Sequence, residues 1–166
     1  MQKLIAFSER YVIKKIIHLS TAAVYDGLKK NYITDAEKPS AKSVYGIDKL
    51  KADELLLDYC IKQNIKCVIL RPVSIFGRYR NNLDSLLTKI KKGKYLIRFG
   101  DDCIRQLLFV KDLCLAIIHI IQNFPDKPDS FIFSDNTYDN KIKTFDSFIS
   151  EIYNQKIKYI NLPLFL

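Results

Sequence analysis

The chain has 166 residues, 48% hydrophobic and 12% aromatic, enough apolar material for one compact core. No run approaches the roughly 18 to 20 apolar residues of a membrane helix, and Glu9, Arg10, Lys14 and Lys15 interrupt the stretch where a signal peptide keeps its apolar segment, so a cytoplasmic protein without a membrane partner is expected. The net charge of +9 comes from lysines scattered singly or in pairs and alternating with acids, as in "DKLKADELLLD", a solvated helix face rather than a nucleic-acid stripe.

In chain order, apolar spacing predicts a helix over about 2–14, running into a buried strand from Ile16 to Leu19. A polar loop follows, with turn signals at Asp26-Gly27 and Pro39-Ser40. A long helix is expected over about 43–64, where Leu50, Leu55, Leu56, Tyr59 and Cys60 read as one apolar stripe. "CVILRP" is a strand that Pro72 ends, because proline cannot continue a ladder. "NNLDSLLTKIKKG" reads as a helix capped by Asn82 and stopped by Gly93. Strand-like "YLIRFG" and "IRQLLFV" come next, then a helix over about 111–124 ending before Pro125. A strand "SFIFS", a helix over about 144–154 opened by Thr144, and a strand "IKYINL" complete the chain. Strands separated by helices argue for an α/β sheet with parallel pairs.

Cys60, Cys67, Cys103 and Cys114 form no C-x-x-C pair and sit among apolar neighbours, so buried, reduced core cysteines are expected. His18 and His119 lie in apolar runs without ligand spacing, and no metal is expected.

Tyr45 and Lys49 fall four apart at the start of the long helix, hence on one face, one turn apart. An ammonium there favours the phenolate, the form a general base needs. Alone the pair carries no weight, since tyrosine and lysine share this spacing on many surface helices. Its surroundings carry more. Upstream, an apolar strand ends in "HLSTAAVYD", placing hydroxyls at the carboxyl end of a strand, where open parallel sheets bind ligands.

Four pieces in order, Ser20-Thr21-Ala22-Ala23-Val24-Tyr25, Tyr45 to Lys49, Arg71-Pro72-Val73-Ser74-Ile75-Phe76-Gly77, and Arg105 to Asp112, resemble the extended short-chain dehydrogenases/reductases. The resemblance is specifically to the NAD-dependent nucleotide-sugar epimerase/dehydratase family, and it covers about residues 10–165. It implies the C-terminal part of a Rossmann-like parallel sheet plus a small substrate-binding α/β portion. Residues 1–80 would be the remainder of the cofactor domain and 81–166 the interleaved substrate-binding part. It implies NAD as cofactor and a nucleotide-sugar as substrate. Tyr45 is then the catalytic acid/base, Lys49 its partner and a ligand of the cofactor ribose, and Thr21 the hydroxyl that meets the reacting sugar oxygen. Pro72 lies beside the nicotinamide, Ser74 contacts substrate, and Arg105 grips the diphosphate, a task suited to a planar guanidinium. Arg71 reads equally as a salt-bridge partner or a ligand.

The sequence also departs from the family pattern. Ala22 and Ala23 stand where the dehydratases carry an acid and a base, which leaves oxidation and reduction at one carbon: a 4-epimerase or a reductase. Ser74 replaces an asparagine, Gln106 an aspartate, and Asp26 a glycine. The five glycines (27, 46, 77, 93, 100) form no G-x-x-G-x-x-G turn to hold a pyrophosphate. The expectation is a truncated enzyme with weak or no NAD binding by this chain alone. An apolar edge at Ile16–Leu19 would then invite a complementing N-terminal chain or a homo-oligomer. An inactive fragment of a decayed or split gene and a non-catalytic binding module remain as alternatives.

Overall fold

The apolar, β-branched runs in the first half of the chain become the two strands around which the fold is built. In a computed structural model, the described residues are 1–30, 32–77, 88–94, 96–99, 106–134, 151, 154 and 156–162. Helix α1 (Gln2–Tyr11) leads into β1 (Lys15–Leu19), and a short 3-10 turn (Ala22–Tyr25) follows directly. After a loop, α2 (Val44–Lys62) returns to β2 (Lys66–Pro72), then β3 (Ser74–Phe76). Strands β4 (Leu96–Phe99) and β5 (Leu107–Phe109) precede α3 (Val110–Gln122), β6 (Asp129–Phe133) and β7 (Tyr159–Leu162). Neither the 3-10 turn nor β3 was foreseeable from periodicity: each is too short for a repeat to register. Of the expected helix over 144–154 only residues 151 and 154 are described, and the Asn82 cap, Cys103 and Arg105 lie outside the described residues.

The chain divides into two compact units, Met1–Val73 with Lys111–Ser134, and Ser74–Val110 with Asp135–Leu166. The first holds a parallel sheet in the order β1-β2-β6, in register from Lys15↔Lys66 to Leu19↔Leu70 and from Val68↔Asp129 to Pro72↔Phe133. Central β2 is buried over its length from Cys67 to Pro72, as a strand covered on both faces must be. Ile16, Leu56, Cys60, Ile65, Cys67 and Ile69 form the core between α2 and the sheet. Among the described residues β1 bonds a strand on one side only. The second unit holds two parallel pairs, β3 with β5 and β4 with β7.

Two expectations about burial need correction. Leu55 is 55% exposed, and the inward positions of α2 are Gly46, Asp53, Leu56 and Cys60. Spacing alone could not tell which flank of the stripe turned inward, and the inward flank includes a buried aspartate. Cys114 is exposed on α3, whereas Cys60 and Cys67 are buried thiols; burial pushes the Cys67 thiol up to about 12, which makes it inert. Among the described residues no helix is long and apolar enough to cross a membrane, and no cluster of metal-ligand type occurs.

Candidate active site

Chain direction fixes where the site stands. In a parallel sheet every strand points its carboxyl end the same way, and the chain leaves β1 there into Ser20 and Thr21. Thr21 caps the 3-10 turn in extended conformation, and its Oγ1 accepts the Ala23 N–H at 3.2 Å. With that acceptor lobe filled, the hydroxyl's own proton is left to donate outward.

Helix α2 is brought to the same place by two devices. Asp26, at the end of the 3-10 turn, accepts the backbone N–H groups of Lys42 and Ser43, stapling the helix start to the strand end. Ser43, and then the Lys42 N–H, hold the Asp26 carboxyl below its ordinary 3.8. The aspartate in place of the family's glycine therefore closes the loop. Ser43 in turn is the N-cap, its Oγ accepting the Gly46 N–H at 3.0 Å.

Gly46 is the second device. A Cβ at this position would lie 2.5 Å from the Ala23 carbonyl oxygen and 3.1 Å from Ser43 Oγ. Only glycine lets the first turn of α2 lie against the 3-10 turn. In an open helix Gly→Ala gains about 1 kcal/mol; here the added methyl meets backbone that cannot swing aside. Gly46→Ala is expected to destabilise by about 1–3 kcal/mol, a reversal of sign that a urea unfolding midpoint would register.

Tyr45 emerges from this contact 57% exposed. Lys49 Nζ stands 5.9 Å from the centre of the Tyr45 ring, one turn further along, and no carboxylate among the described residues pairs with it. Pro72 is buried at the carboxyl end of β2, opposite Phe133 of β6. Thr21, Tyr45, Lys49 and Pro72 thus share the first unit, with the 3-10 turn packed on α2. Ser74 is exposed on β3, in the second unit. Arg105 lies outside the described residues.

Beneath these residues is a buried ionic network that the sequence concealed. Arg71 on β2 is 4% exposed, and Asp53 on α2 is wholly buried. Arg71 Nε donates to Asp53 Oδ2 at 3.1 Å, and Nη1 donates to Tyr25 Oη at 2.7 Å and to Ser130 Oγ at 3.1 Å. The guanidinium also lies 5.4 Å from the Tyr25 ring centre, a cation–π distance. His18 Nε2 approaches Asp53 Oδ1 at 3.5 Å. Burial pushes the Asp53 carboxyl up, but His18, Ser20 and Arg71 outweigh it and hold the group below 3.8. Arg71, left open between two roles, is a salt-bridge residue here. Asp53 was missed because an acid inside "DKLKADELLLD" reads as solvated; its only signal is its place one turn beyond Lys49.

The model for the NAD dependent epimerase/dehydratase family matches residues 1–133. The chain belongs to that family. Among curated relatives, it is 28% identical to a dTDP-4-dehydrorhamnose reductase of Aggregatibacter actinomycetemcomitans over 107 residues, 64% of this chain and 35% of that one. Among solved structures, the UDP-glucuronic acid 4-epimerase of Bacillus cereus in complex with NAD superposes with a TM-score of 0.86 at 23% identity, covering 98% of this chain and 54% of the other. A dTDP-glucose 4,6-dehydratase of Bacillus anthracis in complex with NAD gives 0.82 at 22%, covering 97% and 54%. These likenesses establish the fold of this family member, the Rossmann-like α/β architecture anticipated from its motifs. The chain spans about half the length of these solved relatives and about a third of the curated one.

Proposed function

We propose that this family member carries the proton-transfer residues of an NAD-dependent oxidation and reduction at one carbon of a nucleotide-sugar. The observation that carries the reading is the placing of Tyr45 and Lys49 one turn apart at the carboxyl end of the sheet, Tyr45 exposed and Lys49 half-buried, beside the Thr21 turn. The residues fit the ribose and nicotinamide end of NAD: an ammonium that no carboxylate among the described residues claims can donate to ribose hydroxyls, and Pro72 closes the adjoining strand end. NAD, when bound, supplies the site that takes and returns a hydride.

Tyr45 removes the proton of a sugar hydroxyl as the hydride leaves that carbon, and returns it in the reverse step. The Thr21 hydroxyl donates to the same oxygen and holds it in line. Lys49 orients the cofactor ribose. Ala22 and Ala23 can neither give nor take a proton, so elimination of water from the ketosugar has no residues there, and a 4-epimerase or a reductase is favoured. Ser74 and Arg105 are assigned to the substrate diphosphate. A complementing chain or a second copy at the β1 edge is the partner this reading favours. The lack of a G-x-x-G-x-x-G turn favours a second reading, a non-catalytic module that retains the sugar-nucleotide portion.

A fluorescence titration of the 166-residue chain with NADH separates the two. Weak but saturable binding, reduced at least tenfold further in Lys49→Ala, is the expected result of the first reading. A folded chain that shows no binding overturns the first reading in favour of the second.

A further inference from the structure

Arg71 reaches each element of the first unit that bears a candidate site residue. Through Asp53 it grips α2, which carries Tyr45 and Lys49; through Tyr25 it grips the 3-10 turn that Thr21 opens; its own strand continues into Pro72. Tyr45, Lys49 and Asp53 follow one another at intervals of four, so holding Asp53 fixes the rotation of α2 about its axis and hence the direction of Tyr45. Tyr25 is 3% exposed and is the last residue of the turn, so holding its Oη fixes the turn from below.

We propose that Arg71 is a positioning residue, which through Tyr25 and Asp53 sets the Thr21 hydroxyl against the Tyr45 phenol; the catalytic meaning of that setting rests on the function proposed above. A guanidinium suits the task as an ammonium does not. Its planar fork gives Nε to a carboxylate and Nη1 to a phenol at once, so the two partners are held at a fixed angle to each other. A purely adhesive role would need no such angle, and burial of an ionic group is by itself weak support for stability. The tie to Ser130 Oγ on β6 adds the third strand, so the fork cannot tilt without breaking a bond to the sheet.

The test uses Tyr25→Phe, which keeps the ring on the guanidinium and deletes only the 2.7 Å bond, and Arg71→Lys, which keeps the charge and loses the fork. Backbone amide exchange is followed at Val24, Asp26 and Leu28, whose N–H groups bond within the turn, and at Gly46 and Ile47, which bond to Ser43. The β1–β2 ladder amides serve as the internal reference. In Tyr25→Phe the turn amides are expected to exchange about tenfold faster, the loss of one hydrogen bond to a charged group, with the ladder unchanged. Arg71→Lys is expected to loosen the turn and the α2 start together. Uniform acceleration across turn, helix and ladder would mean that the network only adds stability, and no change would mean that the turn holds itself; either overturns the proposal. Exchange is read without ligand, so failure of the wild-type chain to bind NADH overturns the cofactor reading alone.

Discussion

Arg71→Leu is expected to lower the unfolding free energy by about 3–5 kcal/mol, the cost of leaving a buried charge without its partner. Asp53 is wholly buried, and the guanidinium is its closest ion-pair partner, at 3.1 Å. The sign of the pH dependence gives a second check. In the wild type, burial raises the Asp53 carboxyl while His18, Ser20 and Arg71 together hold it below 3.8. A depressed carboxyl contributes stability that is present above its unfolded value and lost as pH falls through the folded one. In the variant, desolvation meets less opposition, and the folded carboxyl rises. The stability gap between the two proteins should therefore be widest near neutrality and narrow as pH falls through 3.8. Asp53→Leu combined with Arg71→Leu is expected to recover much of the loss, because no charge then stays buried alone. Urea unfolding at neutral and acid pH measures all three. A single variant as stable as the wild type would show that the ion pair contributes nothing.

Tyr45→Phe is expected to slow hydride exchange by about 100- to 10,000-fold, the usual worth of a positioned general acid/base. The ring is 57% exposed, and removal of its hydroxyl should move stability by no more than about 0.5 kcal/mol. NADH affinity should change little, since Lys49 keeps its place and carries the ribose contact in the function proposed here. The rate is read as NADH oxidation by a nucleotide-4-ketosugar. Lys49→Ala should lose affinity and rate together. A Tyr45→Phe protein that turns over at the wild-type rate would move the proton transfer to another group and remove the reason for the Tyr45–Lys49 spacing.

How much of this was legible from sequence varies by element, and for physical reasons. β2 was plain because a strand covered on both faces must be apolar throughout, and Pro72 marks its end. α2 was plain in extent because Ser43 caps it and apolar residues recur on it. Its inward face was not, because the partners of buried Asp53, Arg71 and His18, lie on other elements. The order Thr21, Tyr45, Lys49, Pro72 could be read as a motif, whereas the glycine contact and the Asp26 staple that bring Thr21 and Tyr45 to one place could not. Asp26 looked like a defect in a pattern, and its function appears only once the Lys42 and Ser43 amides are seen pointing at it. Cys114 misled in the opposite direction: apolar neighbours in sequence do not bury a residue on the outward flank of α3.

The partners of Arg71 lie 18, 46 and 59 residues away along the chain. Each is reached by closing a loop of that length, and the entropic cost of closure grows with it. The guanidinium cannot leave water until the last of these closures is made, since a half-paired charge in the interior is costlier than a hydrated one. A nascent chain can therefore form α2 and pair β1 with β2 while Arg71 stays hydrated. The geometry around Thr21 and Tyr45 becomes fixed only when β6 docks and brings Ser130 home. Competence of the site in this sense waits on the docking of β6.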